Sequence, residues 1–168
     1  MTDNYPALRA IADLVPAVPD LRAPEIADGM VHLALLPGPR HGAVVEPIRR
    51  QLTEQLTGLA RVDLDPPLEH PPLGLLRRPD LAVRPAPASG PLLVVEVVAP
   101  HFLEFDPWTR ARDHAAMGVP LYLLVDPRSG TGIVYSEPNY TRRTDFVFGD
   151  TITVGPWTLD TGVLRTYG

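Results

Sequence analysis

The sequence PLLVVEVVAP at residues 91–100 places one carboxylate, Glu96, inside a run of valine and leucine. An apolar run of this length, bounded by Gly90–Pro91 and by Pro100, is typical of a strand buried on both faces of a sheet. A carboxylate is costly in such a strand unless a metal ion, a cation or a hydrogen-bond donor meets it. Glu96 therefore needs a partner, and that need constrains both the fold and the candidate site.

A second acid precedes a neighbouring short strand. Asp80 follows Pro79 and leads into the apolar segment Leu81-Ala82-Val83, and the turn-forming sequence PAPASGP separates this segment from the strand of Glu96. Two strands joined by such a turn can pair. We therefore expect Asp80 and Glu96 to converge.

The other elements follow from apolar spacing and from the turn residues, which include 21 prolines. The patterns predict helices over Pro6–Leu14, over about residues 41–56 and over Pro107–Met117, the last capped by Asp106. Pro47 predicts a kink in the second helix or a later start to it. They also predict a hairpin at Asp28-Gly29, strands at Arg61–Leu64 and Leu121–Val125, and a C-terminal meander. This order indicates one mixed-sheet α/β (α+β) domain over residues 1–168.

Composition limits the function classes. A hydrophobic share of 45% and a charged share of 21% are those of a folded globular protein. The net charge of −5 excludes a global field that attracts nucleic acid, so such binding needs a local patch such as Arg77–Arg78 or Arg142–Arg143. We expect a cytoplasmic protein, because the sequence shows no cysteine, no signal peptide and no membrane-spanning run.

Several of these segments together resemble a known family. The pattern Glu25-x-x-Asp28-Gly29, a helix opened by His41, Pro79-Asp80, Val95-Glu96-Val97 and the run from Gly118 to Pro127 has the order and spacing of the Uma-type restriction endonucleases. The resemblance covers roughly Pro24 to Leu164. It implies the PD-(D/E)XK nuclease fold of these bacterial proteins, with a mixed central sheet flanked by helices.

The resemblance also implies an activity, namely metal-dependent hydrolysis of DNA phosphodiester bonds. It implies that Asp80 and Glu96 hold Mg²⁺ or Mn²⁺, that the Val97 carbonyl completes the site, and that Glu25 contacts the ion or its waters. Carboxylates with retained waters suit a hard cation, and such an ion activates water for attack on a phosphate. His41 is expected near the substrate phosphate. Arg78 is expected at the DNA backbone.

The family lysine and a following aromatic residue fall here on Arg110 and His114, and the family serine falls on Ala99. Arg110 keeps the positive charge, so it can stabilise the transition state, but it cannot lose a proton to act as a base. Arg110 and His114 are i, i+4 neighbours and are expected on one helix face. The opposite face is predicted to be a buried stripe of Trp108, Ala111 and Ala115, with Trp108 and Trp157 packing rather than stacking on bases.

Three functions stay open. In the first, Asp80 and Glu96 hold the ion, Arg110 stabilises the developing charge, and His114 and His41 orient water or phosphate. In the second, the protein is a non-catalytic interaction module in which Glu96 forms a buried ion pair with Arg110 or Arg84. The third, an unrelated small-molecule enzyme, is disfavoured because no phosphate-cradling glycine loop or nucleophile motif occurs. A homodimer is expected from the resemblance alone.

Overall fold

The structure, a computed structural model, describes residues 4–87, 90–101 and 107–168. Within these ranges the helices are α1 (Tyr5–Leu14), α2 (Pro39–Gln55) and α3 (Pro107–Ala116). The strands are β1 (Glu25–Ala27), β2 (Met30–His32), β3 (Arg61–Leu64), β4 (Leu68–His70), β5 (Leu75–Arg77), β6 (Leu81–Arg84), β7 (Leu93–Val97), β8 (Leu121–Asp126), β9 (Thr131–Ser136), β10 (Arg142–Val147), β11 (Thr151–Val154) and β12 (Trp157–Asp160). This mixture of helices and sheets confirms the predicted α+β class. The predicted Asp106 cap lies outside the described residues.

The chain divides into two compact units. One consists of Met1–Leu36 with Pro66–Pro79, and the other of Pro37–Asp65 with Asp80–Gly168. A single domain over residues 1–168 stays a prediction. Among the described residues, no helix combines the length and the apolar character that crossing a membrane requires.

The first unit is a four-stranded sheet in the order β2-β1-β5-β4 that packs with α1. Its hairpin turns at Asp28 and Gly29, whose φ values of 52° and 71° are those of the predicted tight turn. Ile26 of β1 and Leu76 of β5 form the core with Tyr5 of α1. Strands β4 and β5 are absent from the sequence prediction, because the prolines around them indicate a connector.

The second unit is built on a six-stranded sheet in the order β10-β9-β8-β7-β6-β3. Strands β7 and β8 are parallel and α3 connects them, whereas the other neighbours pair antiparallel. The central strand β7 is buried along its whole length. The prediction of a doubly buried strand around Glu96 is therefore confirmed.

Helix α2 packs on one face of this sheet through apolar residues at helical spacing. Val44, Ile48 and Leu52 lie in the same buried cluster as Val95 of β7. The helix begins at Pro39, where a proline suits the first turn. It continues through Pro47, so of the two predicted alternatives the later start was wrong and the kink stays a prediction.

The sequence predicts a C-terminal meander at the edge of the sheet. Strands β9 and β10 do lie at the edge of the six-stranded sheet, whereas β11 and β12 form a separate two-stranded sheet. Two glutamine side chains of helix α2 form hydrogen bonds with the backbone of β12, as a paired strand would. Gln51 accepts from the Asp160 amide at 2.7 Å and donates to its carbonyl at 3.1 Å. Gln55 makes the same pair of bonds with Thr158 at 2.9 and 2.7 Å. These bonds satisfy backbone groups on the edge strand β12.

Candidate functional site

Strands β6 and β7 bring the two predicted acids to one end of the sheet. Their register joins Leu81 to Val95 and Val83 to Leu93, so extending it by one residue sets Asp80 opposite Glu96. Asp80 is 6% exposed and Glu96 is 2% exposed. The two residues are neighbours on adjacent strands, and the groups that contact each carboxylate decide what the site can do.

The backbone of β7 and helix α2 hold the Asp80 carboxylate. The Val97 amide donates to Oδ2 at 2.7 Å, and Nε2 of His41 lies 3.2 Å from the same oxygen. The Asp80 carbonyl accepts from the Asp65 amide at 3.0 Å, which anchors the start of β6. Hydrogen bonds from these donors compensate the burial of this carboxylate.

His41 links Asp80 to the Val97 carbonyl. Its Nε2 lies 3.1 Å from the Val97 oxygen and 3.2 Å from Asp80 Oδ2, and the side chain is buried in the first turn of α2. A carbonyl oxygen only accepts hydrogen bonds, so Nε2 carries the proton and both oxygens share it. His41 therefore contacts the two oxygens that the resemblance assigns to a metal ion.

Helix α3 holds the Glu96 carboxylate. Nη1 of Arg110 donates to Oε1 at 2.9 Å, and Nε2 of His114 lies 3.2 Å from the same oxygen. The side chain of Arg110 is 15% exposed, and that of His114 is fully buried. The ion pair between Glu96 and Arg110 is the one that the module hypothesis predicts, whereas Arg84 pairs with Asp63.

The buried face of α3 differs from the sequence prediction. Arg110 and His114 do share a face, but this face turns inward to Glu96. Ala111 is buried as predicted, while Ala115 is half-buried and Trp108 is 61% exposed. Placing Trp108 in the buried stripe was wrong, because the buried Glu96 carboxylate needs polar partners and the face of α3 that carries Arg110 and His114 supplies them.

An aromatic layer lies behind His114, and sequence reasoning missed it. The rings of His114 and Tyr122 are 5.3 Å apart, and Tyr140 stacks on Tyr122 at 5.8 Å. Burial, and then the negative charge of Glu96, raise the pKa of Tyr122 well above its usual range. Nδ1 of His114 and the hydroxyls of Tyr122 and Tyr140 have no hydrogen-bond partner among the described residues. The position of Tyr122 in a run of Leu and Val gives no sequence signal of a polar role.

Glu25 and Arg78 lie in the first unit and bind each other. The Glu25 carboxylate accepts from the Arg78 amide at 2.7 Å and lies 3.4 Å from Nη1 of Arg77. The guanidinium of Arg78 donates to the Pro24 carbonyl at 3.3 Å. Glu25 thus joins β1 to the end of β5, and the metal-binding and DNA-binding roles of these residues stay predictions.

The donor chemistry of the second unit's cluster fits a hard divalent ion held by few protein ligands. The carboxylates of Asp80 and Glu96 and the carbonyl of Val97 are oxygen donors, and Mg²⁺ commonly takes one or two carboxylates and keeps several waters. Among the described residues, no group of three or more acidic or histidine side chains is arranged to hold a metal ion. Any metal site here therefore rests on two carboxylates. Hydrogen-bond donors of the protein already contact both of them.

Comparison with known sequences identifies one family. Residues 13–160 match the sequence profile of the Uma2 family, which is described as "putative restriction endonuclease". This match covers most of the chain. No curated protein matches it.

A solved structure shows the same fold. A crystal structure of a putative nuclease belonging to DUF820 from Anabaena variabilis matches with a TM-score of 0.68 and 17% identity, covering 89% of this chain and 92% of that one. A cryo-EM structure of a DrdV–DNA complex matches with a TM-score of 0.41 and 13% identity, covering 63% of this chain and 11% of that one. At these identities only the first structure bears on the chain, and it shows the fold alone.

Proposed function

Because the chain belongs to the Uma2 family of putative restriction endonucleases, we propose that it is a metal-dependent endonuclease that hydrolyses DNA phosphodiester bonds. One observation carries the proposal, namely the register of β6 and β7 that sets Asp80 opposite Glu96 at one end of a buried sheet. Burying two carboxylates on adjacent strands costs folding free energy unless each carboxylate is paired. In this proposal a divalent ion would bind both of them.

In this proposal Asp80, Glu96 and the Val97 carbonyl would hold Mg²⁺ or Mn²⁺. The bound ion would polarise a phosphoryl oxygen and lower the pKa of the attacking water. The Val97 amide fixes Asp80 by donating to Oδ2 at 2.7 Å, so the second oxygen of this carboxylate has a defined direction. This preorganisation is the backbone's contribution to the site.

Three further side chains have roles in the chemistry. Arg110 is always protonated and presents a fork of N–H donors, so it stabilises negative charge that develops on a phosphate. His114 orients Glu96 through Nε2. His41 donates from Nε2 and would turn this donor to a phosphate or to water when Asp80 and Val97 take another partner.

Glu25 and Arg78 of the first unit complete the proposal on the strength of the family motif. The metal-binding role of Glu25 and the DNA-binding role of Arg78 rest on that motif alone and stay predictions. Within the first unit the Glu25 carboxylate pairs with Arg77 and accepts a hydrogen bond from the Arg78 amide.

Plasmid cleavage with Mg²⁺ tests the proposal. We expect Asp80→Asn and Glu96→Gln to abolish nicking by the purified protein. Asp63→Asn is the matched control, because Asp63 is a strand acid on neighbouring β3 that pairs with arginines outside the site. Equal cleavage rates in the wild type and all three variants would overturn the proposal.

A second candidate function is a non-catalytic interaction module with the nuclease fold. The observation that favours it is the contact of Arg110 and His114 with Oε1 of Glu96, which supplies a cation to the buried acid without a metal ion. Ala99 adds to it, since the family serine is missing there.

Calorimetric titration with Mn²⁺ separates the two candidates. Saturable binding that Glu96→Gln removes supports the endonuclease. A titration without heat, in a protein that remains folded by circular dichroism, supports the module.

A further inference from the structure

Trp108 is the exposed aromatic residue closest in sequence to the candidate site. It is 61% exposed and lies two residues before Arg110 on α3, which corresponds to about 3 Å along the helix axis. Its ring meets Tyr135 of β9 edge to face, with centroids 6.1 Å apart. The guanidinium carbon of Arg143 lies 5.7 Å from the indole centroid.

A rigid layer supports this indole. Tyr135 packs against Tyr140 at 5.7 Å and against Tyr122 at 5.8 Å, and Tyr122 is fully buried. Side chains packed in this way lose little further freedom when a ligand binds. Trp108 thus presents an aromatic surface that is exposed on one side and supported on another.

Strand β10 places positive charge over one face of the indole, where the guanidinium of Arg143 lies. The side chains of Arg142 and Arg143 are 68% and 43% exposed. Arg143 pairs with Asp145 at 2.7 Å, and Arg142 pairs with Glu137 at 3.4 Å. Exposed ion pairs of this kind contribute little stability, so a phosphate group can replace the carboxylates at small cost.

An indole next to arginines is the chemistry that binds an unpaired nucleotide. A base stacks on the aromatic ring, and guanidinium groups follow the phosphate backbone. Bases within a duplex stack on each other and present no free face, so this chemistry selects single strands.

We propose that Trp108 and Arg143 form a stacking site for an unpaired nucleotide of single-stranded DNA, next to the candidate site on the same helix. The proposal rests on the proposed function in taking DNA as the partner, but it requires no cleavage. It assigns α3 two functions, with the inward face holding Glu96 and the outward tryptophan holding a base.

Tryptophan fluorescence tests the proposal, because the other tryptophan, Trp157, is only 6% exposed. Titration of the whole chain with a 20-nucleotide oligo-dT in EDTA should quench the emission of Trp108. Trp108→Ala should weaken binding, measured by anisotropy of a labelled oligonucleotide, roughly 5- to 150-fold. Trp108→Tyr should keep most of the affinity.

Arg128 provides a matched control for Arg143. Its side chain is 41% exposed and it pairs with Asp126 at 2.7 Å, so it copies the exposure and pairing of Arg143 elsewhere on the unit. Arg143→Gln should weaken oligonucleotide binding, and Arg128→Gln should leave it unchanged.

Three results would each overturn the proposal: no oligonucleotide binding by the wild type, binding without quenching, or equal affinity in the wild type and Trp108→Ala. Its failure differs from failure of the proposed function. Quenching that persists while Asp80→Asn cleaves plasmid like the wild type refutes the endonuclease and leaves the stacking site. If cleavage depends on Asp80 and Trp108→Ala binds the oligonucleotide like the wild type, the endonuclease is supported and the stacking site is refuted.

Discussion

Replacing Arg110 by methionine removes the cation from a buried carboxylate and keeps much of the side-chain volume. The side chains of Glu96 and Arg110 are 3% and 15% exposed, and their charged atoms are 2.9 Å apart. Removal of one partner from a buried ion pair costs about 3–5 kcal/mol. His114 still donates to the same oxygen, so we expect a loss of unfolding free energy near the lower limit, about 3 kcal/mol.

Urea unfolding at pH 7 measures this loss. Thermal unfolding should show it as a fall in Tm of about 6–12 °C, at roughly 2–4 °C per kcal/mol for a chain of this size. Arg143→Met is the control, because its exposed pair with Asp145 contributes about 0–1 kcal/mol. The double variant Glu96→Leu/Arg110→Met should recover most of the stability, since it buries no unpaired charge.

Equal losses in Arg110→Met and Arg143→Met would refute this reasoning. That result would mean that Glu96 is not an ionised group that depends on Arg110. Failure of the double variant to recover would point instead to lost packing around the arginine stem.

Two further predictions concern the same unit. Burial raises the pKa of Tyr122 above its usual value of 10.0, so above about pH 10 only the unfolded chain releases this proton and the unfolding free energy falls as the pH rises. Urea titrations at pH 7 and above pH 10 should show a smaller fall for Tyr122→Phe and no loss at pH 7, because the hydroxyl lacks a partner among the described residues. Gly132→Ala should cost about 1–3 kcal/mol, since a Cβ there collides with the Phe146 ring. A Cβ at Gly42 of α2 meets no atom within 4 Å, so Gly42→Ala should raise the unfolding free energy by about 0.5–1 kcal/mol and raise Tm. A gain of stability in Gly132→Ala, or a loss in Gly42→Ala, would contradict the packing described.

The sequence predicts the strands of the second unit well, and the reason is physical. A run of Val and Leu broken by Glu96 is compatible with few structures other than a doubly buried strand. The register that pairs Leu81 with Val95 sets Asp80 opposite Glu96, and a slip of one residue would turn every side chain of β6 to the other face of the sheet.

The partners of these acids are less predictable, because they depend on the rotation of each helix about its own axis. Apolar spacing suggests a stripe containing Trp108 and Ala115, yet the need to neutralise Glu96 turns Arg110 and His114 inward. A hydrophobic pattern records only the average preference of each residue. The pattern of one helix therefore does not show the effect of a single buried charge on a neighbouring strand.

The role of Arg110 leads to a last prediction that couples stability to metal binding. At the proposed metal site the positive charge of Arg110 would oppose the attraction of the two carboxylates for a divalent ion, while the same charge stabilises the buried Glu96. Arg110→Gln should therefore lower the unfolding free energy and raise the affinity for Mn²⁺, measured by calorimetry on the folded variant. Stability and binding often oppose each other at functional sites, because side chains arranged to bind a ligand destabilise the protein when no ligand is bound. If Arg110→Gln loses stability without any gain in Mn²⁺ affinity, the arginine does not compete with a metal ion, and the cluster around Glu96 is purely structural.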